Sequence, residues 1–190
     1  MELFSKRKGF SLIELLVVIS VITIISAVVF VNYRSYQDQL ALQRAAYKLA
    51  QDIRKTQGYV MGAKICDGCG VVPQGGYGIK LVDEDDFYII YADNNGDKKH
   101  STSPAPSDTT IETISFEKGV KISNIMFPVS GQDVGQASIN FTPPDPETNI
   151  TGWSPDVTGI RLQITVSLKL DPSETKYIEV NVPGGIKVYE

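Results

Sequence analysis

The residues best suited to chemistry lie at the N-terminus, where one carboxylate interrupts an apolar stretch. Residues 10–31 read FSLIELLVVISVITIISAVVFV, and Glu14 is the only charged residue among them. These 22 residues would span about 33 Å as a helix, enough to cross a bilayer core of about 30 Å. A carboxylate in such a helix costs roughly 2–3 kcal/mol or more at the bilayer centre, and less near the edge. Glu14 therefore calls for a partner of opposite charge.

A cut after Gly9 would supply this partner. Phe10 would then expose a new α-amine one helical turn before Glu14, so the amine and the carboxylate would share a face of the helix. The amine could neutralise Glu14 in the same chain or in a neighbour, and pairing between neighbours would bring their helices into register. Three basic residues precede the apolar stretch, namely Lys6, Arg7 and Lys8. Their position predicts a cytoplasmic N-terminus and an exported C-terminal part.

A secretory signal peptide and a plain membrane anchor are the alternative interpretations of this stretch. A signal peptide usually has an apolar core of about 7–15 residues that ends in a small-x-small cleavage site. Here the core is longer, and residues 26–28 (SAV) match that site poorly. A plain anchor has no reason to carry Glu14. The residues therefore favour a processed leader that is followed by an assembly helix.

Residues 6–16, with the sequence KRKGFSLIELL, closely resemble the N-terminal motif of type IV pilins and type II secretion pseudopilins. The resemblance implies that a membrane aspartic peptidase cuts after Gly9 and methylates the new amine of Phe10. It also implies that Glu14 guides assembly into a helical filament. Many relatives carry a helix-kinking proline where this chain has Val31, so the resemblance does not predict a kink at that position.

The rest of the chain predicts an α+β fold, in which a long N-terminal helix packs on an antiparallel β-sheet head. The second half of the helix carries an apolar stripe that predicts core packing. The stripe consists of Leu42, Ala46, Leu49, Ile53, Thr56 and Val60. The predicted organisation is a leader (1–9), a transmembrane and assembly half of the helix (10–31), an amphipathic half (32–61) and a β-rich globular head (62–190).

Eight strands are predicted in the head from β-branched and aromatic runs bounded by turn signals. They cover residues 77–82, 87–92, 110–116, 120–127, 137–142, 159–168, 176–182 and 186–189. Alternating apolar residues from Ile160 to Leu168 predict a sheet with one buried face. Segments 98–110 and 142–156, which are rich in Ser, Thr and Pro, are predicted to be exposed loops.

The head also resembles the H-type pseudopilin and minor pilin group, in three short patterns. These are residues 93–97 (DNNGD), residues 139–143 (INFTP) and a final hairpin built from 178–181 and 185–188. The resemblance implies a pilin-like head.

The first of these patterns has two interpretations. Asp93, Asn95 and Asp97 place side-chain oxygens at alternating positions, as a calcium-binding loop would. An EF-hand loop requires glycine at its sixth position and glutamate at its twelfth, where this chain has Lys98 and Pro104. Asn–Gly is also a strong hairpin-turn signal. The segment is therefore either a simple turn or a calcium site.

Cys66 and Cys69 are the two cysteines of the chain. Thiols on the exported side of a membrane are oxidised, so a local disulfide after the helix is the first interpretation. A zinc site needs about four ligands, and His100 is the one obvious addition. The pair also lacks the βαβ context of a thioredoxin-like redox motif.

These features predict a non-enzymatic filament subunit, a minor pilin or pseudopilin of a type IV pilus, a type II secretion system or a competence filament. Its predicted partners are identical or related pilin subunits, the prepilin peptidase, an inner-membrane assembly platform and the membrane. The chain would first be a single-pass membrane protein and later part of a cell-surface or periplasmic filament. No cofactor is predicted apart from the calcium alternative.

A DNA-binding minor pilin and a membrane-anchored extracellular protein are the alternative functions. From residue 58 onward the chain has 10 Lys or Arg and 18 Asp or Glu, a net charge of −8 that repels phosphate backbones. The final hairpin offers Lys176 and Lys187, but it also carries Glu179 and Glu190. The charge balance argues against nucleic acid as a partner.

Overall fold

The computed structural model describes residues 9–101, 107–117, 119–144, 146–153 and 156–189. Residues 1–8 of the predicted leader and part of the predicted loop 98–110 lie outside this range. Within it the chain forms one helix followed by eleven strands, and every strand pair is antiparallel. The elements are α1 (Leu12–Met61), β1 (Gly76–Val82), β2 (Phe87–Asp93), β3 (Thr109–Ser115), β4 (Val120–Phe127), β5 (Gln132–Asp133), β6 (Gln136–Thr142), β7 (Glu147–Trp153), β8 (Asp156–Thr158), β9 (Arg161–Leu168), β10 (Thr175–Asn181) and β11 (Ile186–Tyr189). The α+β prediction is confirmed.

The chain divides into two compact units, Met1–Asp38 and Gln39–Glu190, and α1 contributes to both. In the first unit, Leu12–Phe30 form a 19-residue stretch that is long and apolar enough to cross a membrane, and none of it is buried. The predicted apolar helix is thus present, and its length and composition fit a membrane anchor. The helix continues through Val31 without a break.

The second unit contains two antiparallel sheets. The first sheet has the strand order β3-β2-β1-β6-β7-β8, and the second has the order β11-β10-β9-β4-β5. In the first sheet Ile79 lies between Ile90 of β2 and Ile139 of β6, so three apolar side chains meet across neighbouring strands. The second sheet is additional to the single sheet that the sequence led us to expect.

The second half of α1 packs into a hydrophobic core that also contains residues from both sheets. All members of the predicted apolar stripe are buried, with at most 5% of each residue exposed: Leu42, Ala46, Leu49, Ile53, Thr56 and Val60. The prediction of core packing is therefore confirmed. The ring of Tyr59 meets the ring of Tyr77 edge-on, with 5.4 Å between their centroids, and so adds an aromatic contact between α1 and β1.

Polar contacts fix the position of α1 on the head. The hydroxyl of Tyr88 in β2 donates a hydrogen bond to the carboxylate of Asp52, a partly buried contact between helix and first sheet. On the other side, the guanidinium of Arg54 donates to the carbonyl of Ile186 at 3.1 Å, which ties the helix to the second sheet. Two exposed ion pairs complete the set, Arg44 with Glu117 and Lys55 with Glu112, each at 2.8 Å.

The prediction of an exposed loop over residues 142–156 is wrong at its centre, because Glu147–Trp153 form β7. The four prolines that suggested a loop, at positions 143, 144, 146 and 155, all lie outside the strand. Between them, β-branched residues such as Thr148 and Ile150 favour extended backbone. β7 pairs with β6 along its length, and its edge is closed in part by the three-residue strand β8.

The prediction of an exposed loop over residues 98–110 is correct only in part where the chain is described. Residues 98–101, 107 and 108 lie outside the strands and Ser107 is exposed, but β3 begins at Thr109. His100 is 8% exposed and Asp108 is 9% exposed, so these two residues of the segment are buried and not exposed as predicted. The ring of His100 lies edge-on against the ring of Tyr91, and its Nε2 is 3.2 Å from the hydroxyl of Thr110. Burial is the main reason that the pKa of His100 is lowered, and the nearby Lys80 lowers it further.

The packing of α1 predicts the effect of truncating its buried stripe. Leu49 is fully buried, so Leu49→Ala should lower the free energy of unfolding by about 2–5 kcal/mol through lost contacts and a residual cavity. The measurement is chemical denaturation of the detergent-solubilised full chain, followed by near-ultraviolet circular dichroism. Gln51→Ala, at an exposed position of the same helix, is the matched control and should change stability by less than about 0.5 kcal/mol. Equal effects of the two substitutions would contradict the packing described.

Candidate functional site: the N-terminal segment

The N-terminal segment begins with three residues outside the helix. Gly9, Phe10 and Ser11 are non-helical, and α1 begins at Leu12. The carbonyl of Ser11 accepts the first intrahelical hydrogen bond, from the amide of Leu15 at 3.2 Å. Ser11 is thus the N-cap residue of the helix, which is a position that favours serine.

Glu14 is therefore the third residue of α1, in its first turn. Ser-x-x-Glu at this spacing is the capping-box pattern, in which the glutamate stabilises the start of a helix. The first-turn amides also carry partial positive charge, which favours a carboxylate there. This local signal was present in the sequence and was missed, because the partner of Glu14 was sought only in the amine of Phe10.

The other polar side chains of the span make local contacts. The hydroxyls of Ser20 and Thr23 donate to the carbonyls of Leu16 and Ile19, at 2.8 and 2.7 Å. In contrast, the carboxylate of Glu14 is exposed and makes no ion pair with another residue of the described range. Among the described residues, Glu14 is therefore the group of this segment that is left without a charged partner.

The residue before the proposed cut is also free of packing constraints. A Cβ at Gly9 would meet no described atom within 4 Å. Phe10 has 85% of its surface exposed. The described part of the chain thus gives no steric reason for glycine at position 9.

In the head, the structure brings together only two of the three residues that were predicted as calcium ligands, Asp93 and Asp97. One carboxylate oxygen from each of Asp93, Asp97 and Asp108 lies within 4.8 Å of the others. Asn95 is engaged within the turn instead, because its side-chain oxygen accepts the amide proton of Asp97 at 2.9 Å. Asp108 was missed by the sequence analysis, since it follows the loop by ten or more positions and reaches the cluster only through the fold.

The hydrogen bonds of Asp93 account for its burial. Its two carboxylate oxygens accept the amide protons of Gly96 at 2.6 Å and Lys98 at 2.9 Å, and the side-chain amide of Asn140 donates at 3.3 Å. A Cβ at Gly75 would lie 2.2 Å from the Asp93 carboxyl carbon, so glycine is needed for the chain to pass. Desolvation raises the pKa of Asp93, and the hydrogen bonds from the loop amides oppose this rise.

Asp108 holds the same loop from its other end. Its carboxylate accepts the amide protons of Asn94 at 3.0 Å and Ser101 at 2.6 Å. The two buried carboxylates thus use their oxygens to close the turn that follows β2. A calcium ion at Asp93, Asn95 and Asp97 stays a prediction.

The two cysteines lie in the turn that follows α1. Cys66 and Cys69 form a disulfide, and Cys66 is 1% exposed. The amide of Cys66 donates to the carbonyl of Val71, and the amide of Gly70 donates to the carbonyl of Cys66. Because the sulfurs are bonded to each other and His100 faces Tyr91, these residues do not form the zinc site that was considered as an alternative.

Comparison with known proteins agrees with the geometry of the N-terminal segment. Residues 4–30 match the prokaryotic N-terminal methylation motif. No curated protein and no solved structure matches the chain significantly. The motif and the exposed apolar helix together support a type IV pilin-like prepilin.

In residues 4–30 the chain is thus similar to type IV pilins and type II secretion pseudopilins, and the remaining residues are not covered by this match. The motif points to a structural subunit. The likeness of the head to the H-type pseudopilin and minor pilin group stays a prediction.

The contacts of Asp93 predict the effect of removing its carboxylate. Asp93→Ala should destabilise the head by about 2–4 kcal/mol, because the amides of Gly96 and Lys98 would lose their acceptors inside the protein. Asp93→Asn keeps one acceptor oxygen and should cost less. The measurement is chemical denaturation of the full chain in detergent, in buffers with and without a calcium chelator.

Asp97→Ala is the matched control, since Asp97 is exposed and belongs to the same turn. It should cost less than Asp93→Ala in either buffer. The opposite outcome would be an equal loss of stability in both variants that is seen without the chelator and disappears when the chelator is present. That outcome would show that a bound cation, and not the hydrogen bonds, explains the cluster.

Proposed function

We propose that the chain is a structural subunit of a filament, a minor pilin or pseudopilin of a type IV pilus, a type II secretion system or a competence system. It would enter the filament through its N-terminal helix after the prepilin peptidase has cut between Gly9 and Phe10. The observation that carries the proposal is the apolar helix Leu12–Phe30, which begins just after this junction and has no buried residue in the described structure.

The uncovered helix requires partners in every state of the protein. Apolar surface contributes about 25 cal/mol per Å² when it leaves water, so Leu12–Phe30 cannot remain in contact with solvent. Lipid covers the helix before assembly, and helices of identical or related subunits would cover it in the filament. An inner-membrane assembly platform would mediate the transfer between these two environments.

Glu14 would specify how neighbouring helices align. Within a helical bundle the low dielectric strengthens its attraction to the methylated amine of Phe10 in a neighbouring subunit. The desolvation of both charges opposes the pairing, so the gain depends on close contact between them. A pair at one fixed axial position would therefore favour one register over others.

Two observations support export of the head. Lys6, Arg7 and Lys8 stand within the four positions before Phe10, whereas Arg34 is the only basic residue in the ten positions after Val31. The disulfide between Cys66 and Cys69 in the second unit fits an oxidising compartment. The head would thus lie outside the cytoplasmic membrane, first anchored and then on a cell-surface or periplasmic filament.

The final hairpin offers little support for the DNA-binding alternative. Lys187 in β11 lies directly opposite Glu179 in β10, and the guanidinium of Arg161 is 3.6 Å from the same carboxylate. These basic groups are therefore matched by an acidic one and do not form a separate positive patch. The acidic head as a whole repels phosphate as well.

Processing is the first test of this proposal. The peptidase requires a small residue before the cut, so Gly9→Val should leave the leader attached, whereas Gly9→Ala should be cut nearly as well as the wild type. Intact mass of the membrane protein gives the result: loss of residues 1–9 and one added methyl group on Phe10. Filaments that contain the full-length wild-type chain would contradict the proposal.

Substitution of Glu14 is the second test, and it separates charge pairing from helix capping. Glu14→Val and Glu14→Gln should both reduce incorporation into filaments at least several-fold, while the amount of membrane-inserted subunit stays the same or rises because the cost of burying a charge disappears. Glutamine satisfies the capping-box pattern, so a role in capping alone predicts that Glu14→Gln assembles normally.

The experiment is co-expression with the assembly system, with the variant quantified separately in membrane and filament fractions. Ile13→Val, an apolar change at the neighbouring position, is the matched control and should assemble like the wild type. Normal incorporation of Glu14→Val beside wild-type subunits would show that Glu14 does not set the register.

A further inference from the structure

Two exposed tyrosines follow the apolar stretch of α1. Tyr33 and Tyr36 lie three and six positions beyond Phe30, and each has 59% of its surface exposed. They are three residues apart in a helix, so they lie on neighbouring parts of one side. Both belong to the compact unit Met1–Asp38, together with the apolar stretch and Glu14.

The position of these side chains matches the boundary between hydrocarbon and water. The apolar stretch ends at Phe30, and the residues around the two tyrosines are polar, with the sequence N-Y-R-S-Y-Q from position 32 to 37. Tyrosine places an apolar ring beside lipid and a hydroxyl toward water, and it is enriched at the interfaces of membrane proteins. A lipid headgroup layer is therefore the partner that fits this surface.

An anchor at Tyr33 determines where Glu14 lies. Nineteen residues separate the two positions, which corresponds to about 28 Å along a helix. The hydrocarbon core is about 30 Å thick, so with Tyr33 at the outer boundary Glu14 reaches the inner boundary. A carboxylate at that depth has access to water and costs far less than one at the bilayer centre.

We infer that Tyr33 and Tyr36 form an outer-face lipid anchor that sets the depth of the span and holds Glu14 at the inner boundary of the hydrocarbon core. The inference rests on the proposed function only in placing the head outside the cytoplasmic membrane. It explains how the chain resides in a bilayer before any neighbouring amine is available to Glu14. It also keeps the junction between Gly9 and Phe10 on the cytoplasmic side, where the basic leader lies.

The test measures the depth of the helix in the membrane of intact spheroplasts that express the full chain. Single cysteines are placed at positions 29–32, 34, 35 and 37, and a membrane-impermeant maleimide is added from outside. Cys66 and Cys69 are bonded to each other and do not react. The first position that is labelled marks the outer boundary, which is expected at about residue 32 in a chain that retains both tyrosines.

Removal of the two rings should move this boundary. In Tyr33→Ala/Tyr36→Ala the helix is free to slide toward the cytoplasm, where Glu14 gains water, so the first labelled position should shift by two or more residues toward the C-terminus. Tyr33→Trp/Tyr36→Trp keeps amphipathic rings at both positions and should leave the boundary unchanged. Tyr47→Ala is the matched control, since Tyr47 is 51% exposed on the same helix but lies about 21 Å beyond Tyr33.

An unchanged boundary in the double alanine variant would overturn the inference, as would an equal shift in Tyr47→Ala. A double alanine variant with an unchanged boundary but poor filament incorporation would assign the tyrosines to contacts between subunits instead, and the proposed function would stand. If labelling of the wild-type chain begins at about residue 32 but the leader is not cut, the result would support the anchor and contradict the proposed function.

Discussion

An apolar helix that its own protein leaves uncovered is the constraint on which the rest of this molecule depends. Leu12–Phe30 have no buried residue, so the chain is stable only where lipid or other helices replace water. Glu14 makes this constraint specific, because a carboxylate in such a setting also needs positive charge or water nearby. The first turn of α1 supplies partial positive charge, and the inner membrane boundary supplies water. Both features stabilise Glu14 in an isolated subunit. In the filament the water is lost, so another group has to interact with the carboxylate in its place.

The second half of the same helix also carries apolar residues at helical spacing, but these are buried within the protein. Its stripe is covered by two sheets of the head, and the surrounding polar side chains of Asp52 and Arg54 find partners on those sheets. Within the second unit, the ion pairs of Arg44 with Glu117 and of Lys55 with Glu112 add electrostatic attraction between the helix and the head. Glu14 and Leu49 belong to different units, so substitution of Glu14 should affect assembly and substitution of Leu49 should affect stability.

The parts of the structure that could be predicted are those determined by local spacing. The methylation motif occupies consecutive residues, and the stripe from Leu42 to Val60 repeats at helical intervals, so both were found without knowledge of the fold. The errors arose where distant residues decide the outcome. Asp108 joins Asp93 only after the loop between them is folded, and β7 was missed because prolines flanking a strand were counted as if they lay within it. Burial of His100 depends on the sheet face beneath it, which no local pattern reports.

The placement of Glu14 at the third position of the helix changes how its role in assembly is best understood. Had the carboxylate lain in mid-helix, the isolated subunit would bear the full cost of a charge in hydrocarbon, and pairing with an amine would mainly relieve that cost. At the helix start and at the membrane boundary, most of this cost is already avoided. The charge becomes expensive only when the subunit leaves the bilayer and Glu14 is drawn among apolar helices. At that step a neighbour whose amine is in the wrong register leaves a buried carboxylate unpaired, which is strongly unfavourable. The selectivity of assembly would then come from the penalty on misaligned subunits more than from the strength of the correct pair.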